Sequence, residues 1–325
     1  VGIAKDTPAN RRLFSIDGEG ETAVKVTDNI NPYLISGPNV LIQTAAKPMS
    51  SLNEMSFGNM PNDGGFLLLD RQEADAAIGY HGVDPKFIRP FVGSQEFIKG
   101  QERCCIWVTD EDYDEAKQNK WLSERFVAVR KQRDLSERGT TKQLSEIPYR
   151  FGEVRQCGDE RIIAVPAISS ENRDYLPCGL LSKGTIISNK CYALYDAPLW
   201  NMALIASRLH WVWVGTVCVR MRTDFSYSNT LGWNTFPVPK LTEKNKADLT
   251  ACAEDILLAR EAHFPATIAD LYNPDKMPEN LRAAHDRNDE VLERIYIGRR
   301  FKNDTERLEK LFDMYTQMTT KVPQQ

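Results

Sequence analysis

The apolar positions of the chain fall into two textures. From Asn31 to about Pro239 they come as short runs bounded by Gly, Pro, Asn and Asp, and beyond Pro239 they recur at helical spacing. Val40-Leu41-Ile42, Phe66-Leu67-Leu68-Leu69, Arg103–Val108, Arg161–Ile168 and Ile186–Leu194 read as strands. Gly58–Gly65, between the first two, reads as a turn-rich loop whose glycines can take positive φ. Arg71–Ile78 predicts a short helix. Asp112–Glu137 contains no Gly or Pro and predicts one long helix, with Trp121, Leu122, Phe126 and Val129 facing inward. Asp196-Ala197-Pro198 suits a helix start, since Asp can cap and Pro is tolerated in a first turn. The helix that follows, about Leu199–Val219, is apolar on most sides and reads as a core element.

Phe236-Pro237-Val238-Pro239 is a rigid break. After it, Glu243–Glu261, Glu279–Gly298 and Asp304–Met318 predict three helices, joined by the loops His263–Met277 and Arg299–Asn303. Residues 1–30 are polar with little periodicity and read as a lead-in, with a turn at Asp17-Gly18-Glu19-Gly20-Glu21. The expected fold is therefore α+β. A linker over 1–35 leads into a mixed α/β domain over 36–239, and a small all-α helical domain follows over 240–325.

Composition narrows the class. A chain of 325 residues, 42% hydrophobic and 26% charged, can bury a core without metal or disulfide staples. No apolar run reaches the roughly 18–20 residues of a membrane span, because Arg208 and His210 interrupt the most apolar helix. The first residues show no secretion pattern and no initiator Met, as expected of an excised fragment or a processed chain. The seven cysteines are scattered, odd in number and without a CxxC pair. They read as inert buried thiols in a reducing cytoplasm. The net charge of −4 argues against a purely electrostatic nucleic-acid binder. It leaves room for a local basic strip, and Lys117–Arg155 carries ten Lys/Arg against five Asp/Glu.

Complete catalytic motifs are not found. None of the four histidines stands at metal-ligand spacing. His210 reads as a core residue, His263 and His285 as surface. There is no P-loop and no GxGxxG after a strand. Asn31-Pro32-Tyr33 resembles the Asp/Asn-Pro-Pro-Tyr/Phe motif of amino-methyltransferases but has one Pro and no upstream glycine loop. Glu115-Ala116-Lys117 matches the end of a nuclease metal triplet but falls on a helix-forming stretch, where a salt-bridged surface is the plainer reading.

The unusual strings that remain occur in a fixed order. They are Asn31–Leu34, Gly37–Val40, Phe57–Gly65, Ile88–Ile98, Pro148–Gln156, Val165–Pro177, Asp224–Asn229 and Asn234–Pro237. Together they resemble the region after the methyltransferase core of MmeI-like (type IIL) restriction–modification enzymes, and the helical tail resembles that family's C-terminal domain. The resemblance implies sequence-specific recognition of double-stranded DNA by this chain. It also implies methyltransferase and nuclease domains elsewhere in a longer protein, where S-adenosylmethionine and Mg2+ would act. Two other readings stay open: a fragment that itself methylates or cleaves, and a module that docks the other domains.

Base chemistry supplies a second screen. Arg and Lys suit guanine, Asn and Gln suit adenine, and Asp and Glu accept from cytosine. Arg222 and Asp224, if extended, point the same way and suit the two halves of a G·C pair. The resemblance places specificity positions there and at Asn189-Lys190. Ser170, Glu171 and Arg173 follow a buried strand and form a third set. Arg130, Lys131, Arg133 and Arg155 are expected to contact phosphates, which add affinity without sequence information.

Overall fold

The computed structural model describes residues 11–16 and 22–320. The predicted turn at Asp17–Glu21 lies outside the described residues. The lead-in is not featureless. β1 (Arg11–Ile16) and β2 (Thr22–Thr27) pair antiparallel, with Phe14 opposite Val24 and Arg12 opposite Val26. The alternation Val24-Lys25-Val26 carries this strand signal. It escaped notice because the hairpin buries little: Phe14 is 64% exposed and Val26 61%. Lys25 ties it to the tail through Glu309 at 2.7 Å.

Val40-Leu41-Ile42 forms no strand. Its backbone is bonded by side chains rather than by a ladder. The Ile42 N–H donates to the Tyr33 hydroxyl (2.9 Å) and the Gln43 N–H to that of Tyr315 (3.2 Å). Asn31 Oδ1 accepts from the N–H groups of Tyr33 and Ile35, and the Tyr33 ring packs on Phe312. The Asn-Pro-Tyr string is therefore a turn that docks the entering chain on the helical tail.

Two four-stranded sheets form the centre. The first contains β4 (Leu68–Asp70), β5 (Ile88–Val92), β6 (Arg103–Ile106) and β10 (Ile186–Ile187), in the order β10-β5-β6-β4 with only β10–β5 parallel. The helices α1 (Arg71–Gly79) and α4 (Lys120–Asp134) cover it. Leu67, Leu69, Phe91 and Ile106 there meet Ala77, Leu122, Phe126 and Val129. Asp70 and Glu73 form a capping box at the start of α1. The long helix predicted over 112–137 is split. α3 (Tyr113–Ala116) ends before Asn119, whose backbone is extended and whose side chain accepts from the N–H groups of Trp121 and Leu122. An N-cap inside a run free of Gly and Pro starts a new helix. Glu115 and Lys117 lie on the surface, paired with Lys86 and Asp114.

The second sheet is antiparallel, ordered β3-β11-β7-β9 from β3 (Ser56–Phe57), β7 (Ile162–Pro166), β9 (Gly179–Leu181) and β11 (Cys191–Tyr195). Both faces of β7 are buried, so it reads as a continuous apolar run. Ile163 and Val165 join the main core; Ile162 and Ala164 pack with Ile187 on the other side. A small third sheet, β12-β13-β8, joins β8 (Ile168–Ser169) to the hairpin of β12 (Arg220–Met221) and β13 (Asp224–Ser226).

The apolar helix also divides, into α6 (Trp200–Ile205) and α7 (Arg208–Val217). Ser207 is extended between them and caps His210 N–H. Asp196 is not the cap; it has positive φ and accepts from the Arg161 N–H. The tail helices α8 (Glu243–Glu261), α10 (Glu279–Ile297) and α11 (Asp304–Thr320) match the predicted spacing, with a short α9 (Ile268–Leu271) in the loop. Leu249, Ile256, Leu292 and Phe312 share one core with Ile163, Leu194 and Trp213, so the tail is fused to the second sheet.

Six of the cysteines are buried and Cys157 is exposed. His210 is a core residue, 3.1 Å from the Tyr227 hydroxyl. His285 is not on the surface. It is fully buried, stacked on Tyr175, and bonded to the Tyr272 hydroxyl (2.7 Å) and the Ala206 carbonyl (3.1 Å). Arg260 donates to the same Tyr272 hydroxyl, whose proton therefore points at His285 Nε2. His285 is then the neutral tautomer protonated on Nδ1.

Burial pulls both histidines down to about 3 from 6.5. Both stay neutral in the fold, whereas the unfolded chain protonates them below 6.5. Their contribution is full above pH 6.5 and is lost as pH falls towards 3, at about 1.4 kcal/mol per pH unit each. Asp289 works against them. Burial raises its carboxyl to about 7, so its contribution is full below 3.8 and is lost as pH rises to 7. Two groups outweigh one between pH 4.5 and 6.5. Urea midpoints are expected to rise across that interval, and a flat or falling profile would contradict neutral burial of the two rings.

Candidate nucleic-acid interface

The candidate residues stand on loops held by buried polar side chains. After β8, the chain turns at Ser170. The Arg173 N–H donates to the Ser170 carbonyl, and the Arg173 guanidinium donates to Ser169 Oγ at 3.0 Å. Half-burial pushes the Arg173 pKa down, while the nearby Asp224 carboxylate opposes that shift. Glu171 is ion-paired with Arg220, whose guanidinium lies 4.5 Å from the Phe225 ring centre. The pair ties the 170–173 loop to the β12–β13 hairpin, so the Glu171 carboxylate is already engaged.

The Ser188-Asn189-Lys190 turn interrupts the expected strand over 186–194. It rests on the Gly58-Asn59 segment. The Asn59 carbonyl accepts from the Asn189 N–H (2.9 Å). Buried Asn59 also donates to the Ile187 carbonyl (2.9 Å) and to Gln156 (2.8 Å), and accepts from the Arg155 N–H (2.6 Å). A Cβ at Gly58 would stand 2.6 Å from the Ile187 carbonyl oxygen and closer still to that of Ser188. Only glycine permits this approach.

At the hairpin tip, Arg222 has φ of +61°. This overturns the expectation that Arg222 and Asp224 are both extended and parallel. Met221 pairs with Asp224, so residues 222–223 form the turn. Arg222 is exposed at the tip, and Asp224 is half-buried at the start of β13, on the face opposite buried Phe225.

Ser170, Arg173, Lys190 and Asp224, from three separate segments, line one groove of about 610 Å³. Its opposite wall is α2 (Ser94–Lys99) with Arg103, and sequence reasoning missed this wall. The signal was present, since Gly93-Ser94-Gln95 lies in one of the ordered strings. A second concavity of about 610 Å³ shares Ser170 and Arg173 and is completed by Ala269 and Tyr272–Asp275 of the tail. Asn189 sits half-buried beside Lys190 without lining the groove.

The phosphate candidates fall elsewhere. Arg130 and Lys131 are exposed on α4, and Arg155 pairs with Glu153 at 2.9 Å. Arg133 cannot meet a phosphate. It is 1% exposed, and its five donors reach the carbonyls of Pro61, Asn62, Leu144, Ile147 and Arg150 at 2.7–2.9 Å. It organises the loops under α4. None of these four lines either concavity.

Among the described residues, no helix is long and apolar enough to cross a membrane. The family model for the MmeI target recognition domain matches residues 36–240, and that for the MmeI C-terminal domain matches residues 241–323. DNA methyltransferase A of Bacillus subtilis (strain 168) is 38% identical over 314 residues, which cover 97% of this chain and 35% of that protein. The solved structure of the type IIL restriction-modification enzyme MmeI in complex with DNA superposes with a TM-score of 0.86 at 30% identity. That match covers 97% of this chain and 42% of the other. The chain thus spans well under half the length of either relative.

Proposed function

Because this chain belongs to the MmeI target recognition family, with that family's C-terminal domain after it, we propose that its groove reads base pairs of duplex DNA for a restriction–modification enzyme. The observation that carries this is the convergence of Ser170, Arg173, Lys190 and Asp224 on one concave face. The mixture has the chemistry of base edges. Lys190 and Arg173 offer donors to guanine O6 and N7, or to a flanking phosphate. Asp224 accepts from cytosine N4, and Arg222 reaches the paired guanine from the hairpin tip.

The groove also answers the objection from net charge. Lys99, Arg103, Arg173 and Lys190 line it against Glu96 and Asp224, and Arg103 already neutralises Glu96 at 2.9 Å. The surface facing DNA is locally basic on an acidic body. Adenine-N6 methylation and strand cleavage, with S-adenosylmethionine and Mg2+, are assigned to other parts of a longer, cytoplasmic protein. In that protein this chain would abut the methyltransferase and nuclease domains.

Selection from a randomised duplex pool tests the proposal. The 325-residue chain is expected to return a defined sequence, with an affinity that falls as salt rises. The double variant Arg222→Ala/Asp224→Ala is expected to flatten one G·C position and keep the others. A variant profile identical to that of the parent would sink the assignment.

A further inference from the structure

Two of the groove side chains singled out from sequence, Arg173 and Lys190, only donate, and Asp224 only accepts. None of them matches adenine, whose N7 acceptor stands beside its N6 donor and is met by a carboxamide. The groove does hold a carboxamide. Gln95, on the second residue of α2, is exposed and lines the groove with Lys190 and Asp224.

The local structure fixes where Gln95 stands. Ser94 Oγ donates to the Lys190 carbonyl, which pins the start of α2 to the 188–190 turn. Glu96 is buried beside it, accepting from the Gly93 N–H at 2.9 Å and from Arg103 Nη1 at 2.9 Å. Gly93 allows the close contact. A Cβ there would meet Ser188 Cβ at 3.2 Å and Lys190 Cβ at 3.4 Å. Gln95 is therefore carried on a braced element, as a specific contact requires. Asn189, the neighbouring carboxamide, does not line the groove, and its Oδ1 accepts from Ser188 Oγ at 3.4 Å.

We propose that Gln95 is a specificity-determining residue that reads an adenine, at a base pair distinct from the one read by Asp224. This rests on the reading of the groove as the DNA face. The test is the base-preference profile of the full chain, from a randomised duplex pool, for the parent, Gln95→Ala, Gln95→Glu and Asp224→Ala. Gln95 is exposed, so its variants keep the fold, and far-ultraviolet circular dichroism verifies this. Gln95→Ala is expected to lower the preference for adenine at one position about tenfold. Gln95→Glu is expected to move that position towards cytosine, and Asp224→Ala to alter a different position. If Asp224→Ala changes the profile and Gln95→Ala does not, or only weakens binding uniformly, the inference is overturned while the proposed function stands. If the parent itself shows no base preference, the proposed function fails and the inference with it.

Discussion

Arg133→Met is expected to cost about 3–5 kcal/mol of stability, a large share of what holds a domain folded. The side chain is buried and donates to five backbone carbonyls from three stretches of chain, at 61–62, 144–147 and 150. Methionine fills much of the same volume but strips the Asn62 and Arg150 carbonyls of their donor, at about 1–3 kcal/mol each before relaxation, while the Pro61, Leu144 and Ile147 carbonyls each keep a backbone N–H, from Gly152, Ile147 and Arg150. Arg133→Lys recovers only part of the loss, because an ammonium has three donors and no planar fork. Lys131→Ala, on the exposed face of the same helix, is the control and should stay within about 0.5 kcal/mol. Urea midpoints decide the matter. A shift for Arg133→Met as small as that of Lys131→Ala would mean that the loops under α4 do not depend on this guanidinium.

Gly58→Ala is expected to damage the groove from behind. Its added methyl would overlap the Ser188 and Ile187 carbonyls, which are backbone atoms and cannot swing away as a side chain would. The turn that carries Asn189 and Lys190 must shift, and with it the Lys190 carbonyl that anchors α2. Overpacking of this kind costs about 1–3 kcal/mol, and the upper end is expected here. The functional loss should exceed what the unfolded fraction explains. At a temperature where the variant remains folded, base preference should fall at the positions read by Lys190. A folded Gly58→Ala variant with the parental base preference would show that the 188–190 turn is not braced as described.

Much of this architecture is legible in the sequence, for reasons that also mark the limits. The helices α8, α10 and α11 contain no Gly or Pro, and Thr242 caps the start of α8 while Gly298 closes α10, so their extents were legible. The splits at Asn119 and Ser207 are hidden inside runs that look uniformly helical, and only the capping chemistry of those two residues gives them away. Polar residues on the inward face of α10, namely His285, Asn288, Asp289 and Glu293, defeat a binary pattern. Their partners lie on other elements: His285 meets Ala206 and Tyr272, Asn288 donates to the Ala203 carbonyl, Asp289 accepts from the Arg208 N–H, and Glu293 accepts from Arg307 and the Phe301 N–H. Val40–Ile42 has the composition of a strand and no neighbouring strand to pair with.

The site follows the same rule. Ser170 and Arg173 stood out because they follow a buried strand, and Lys190 and Asp224 because the resemblance and base chemistry marked them; the pairing of β8 with β13 then brings the first two beside Asp224. Arg222 was misread because one left-handed residue breaks the alternation of a strand. Arg133 was misread because a basic run resembles a solvated face until its partners are known. Gln95 passed unnoticed because nothing in a sequence shows that α2 forms the far wall of the same groove.

A double-mutant cycle between Asp224 and the DNA decides whether this groove reads individual base pairs. Binding of the parent and of Asp224→Ala is measured against the selected duplex and against duplexes changed one pair at a time. The expected result is a coupling of about 1–3 kcal/mol confined to a single C·G position, with additive behaviour at every other pair. A loss of affinity for Asp224→Ala that is the same for every duplex, with no coupled position, would contradict it.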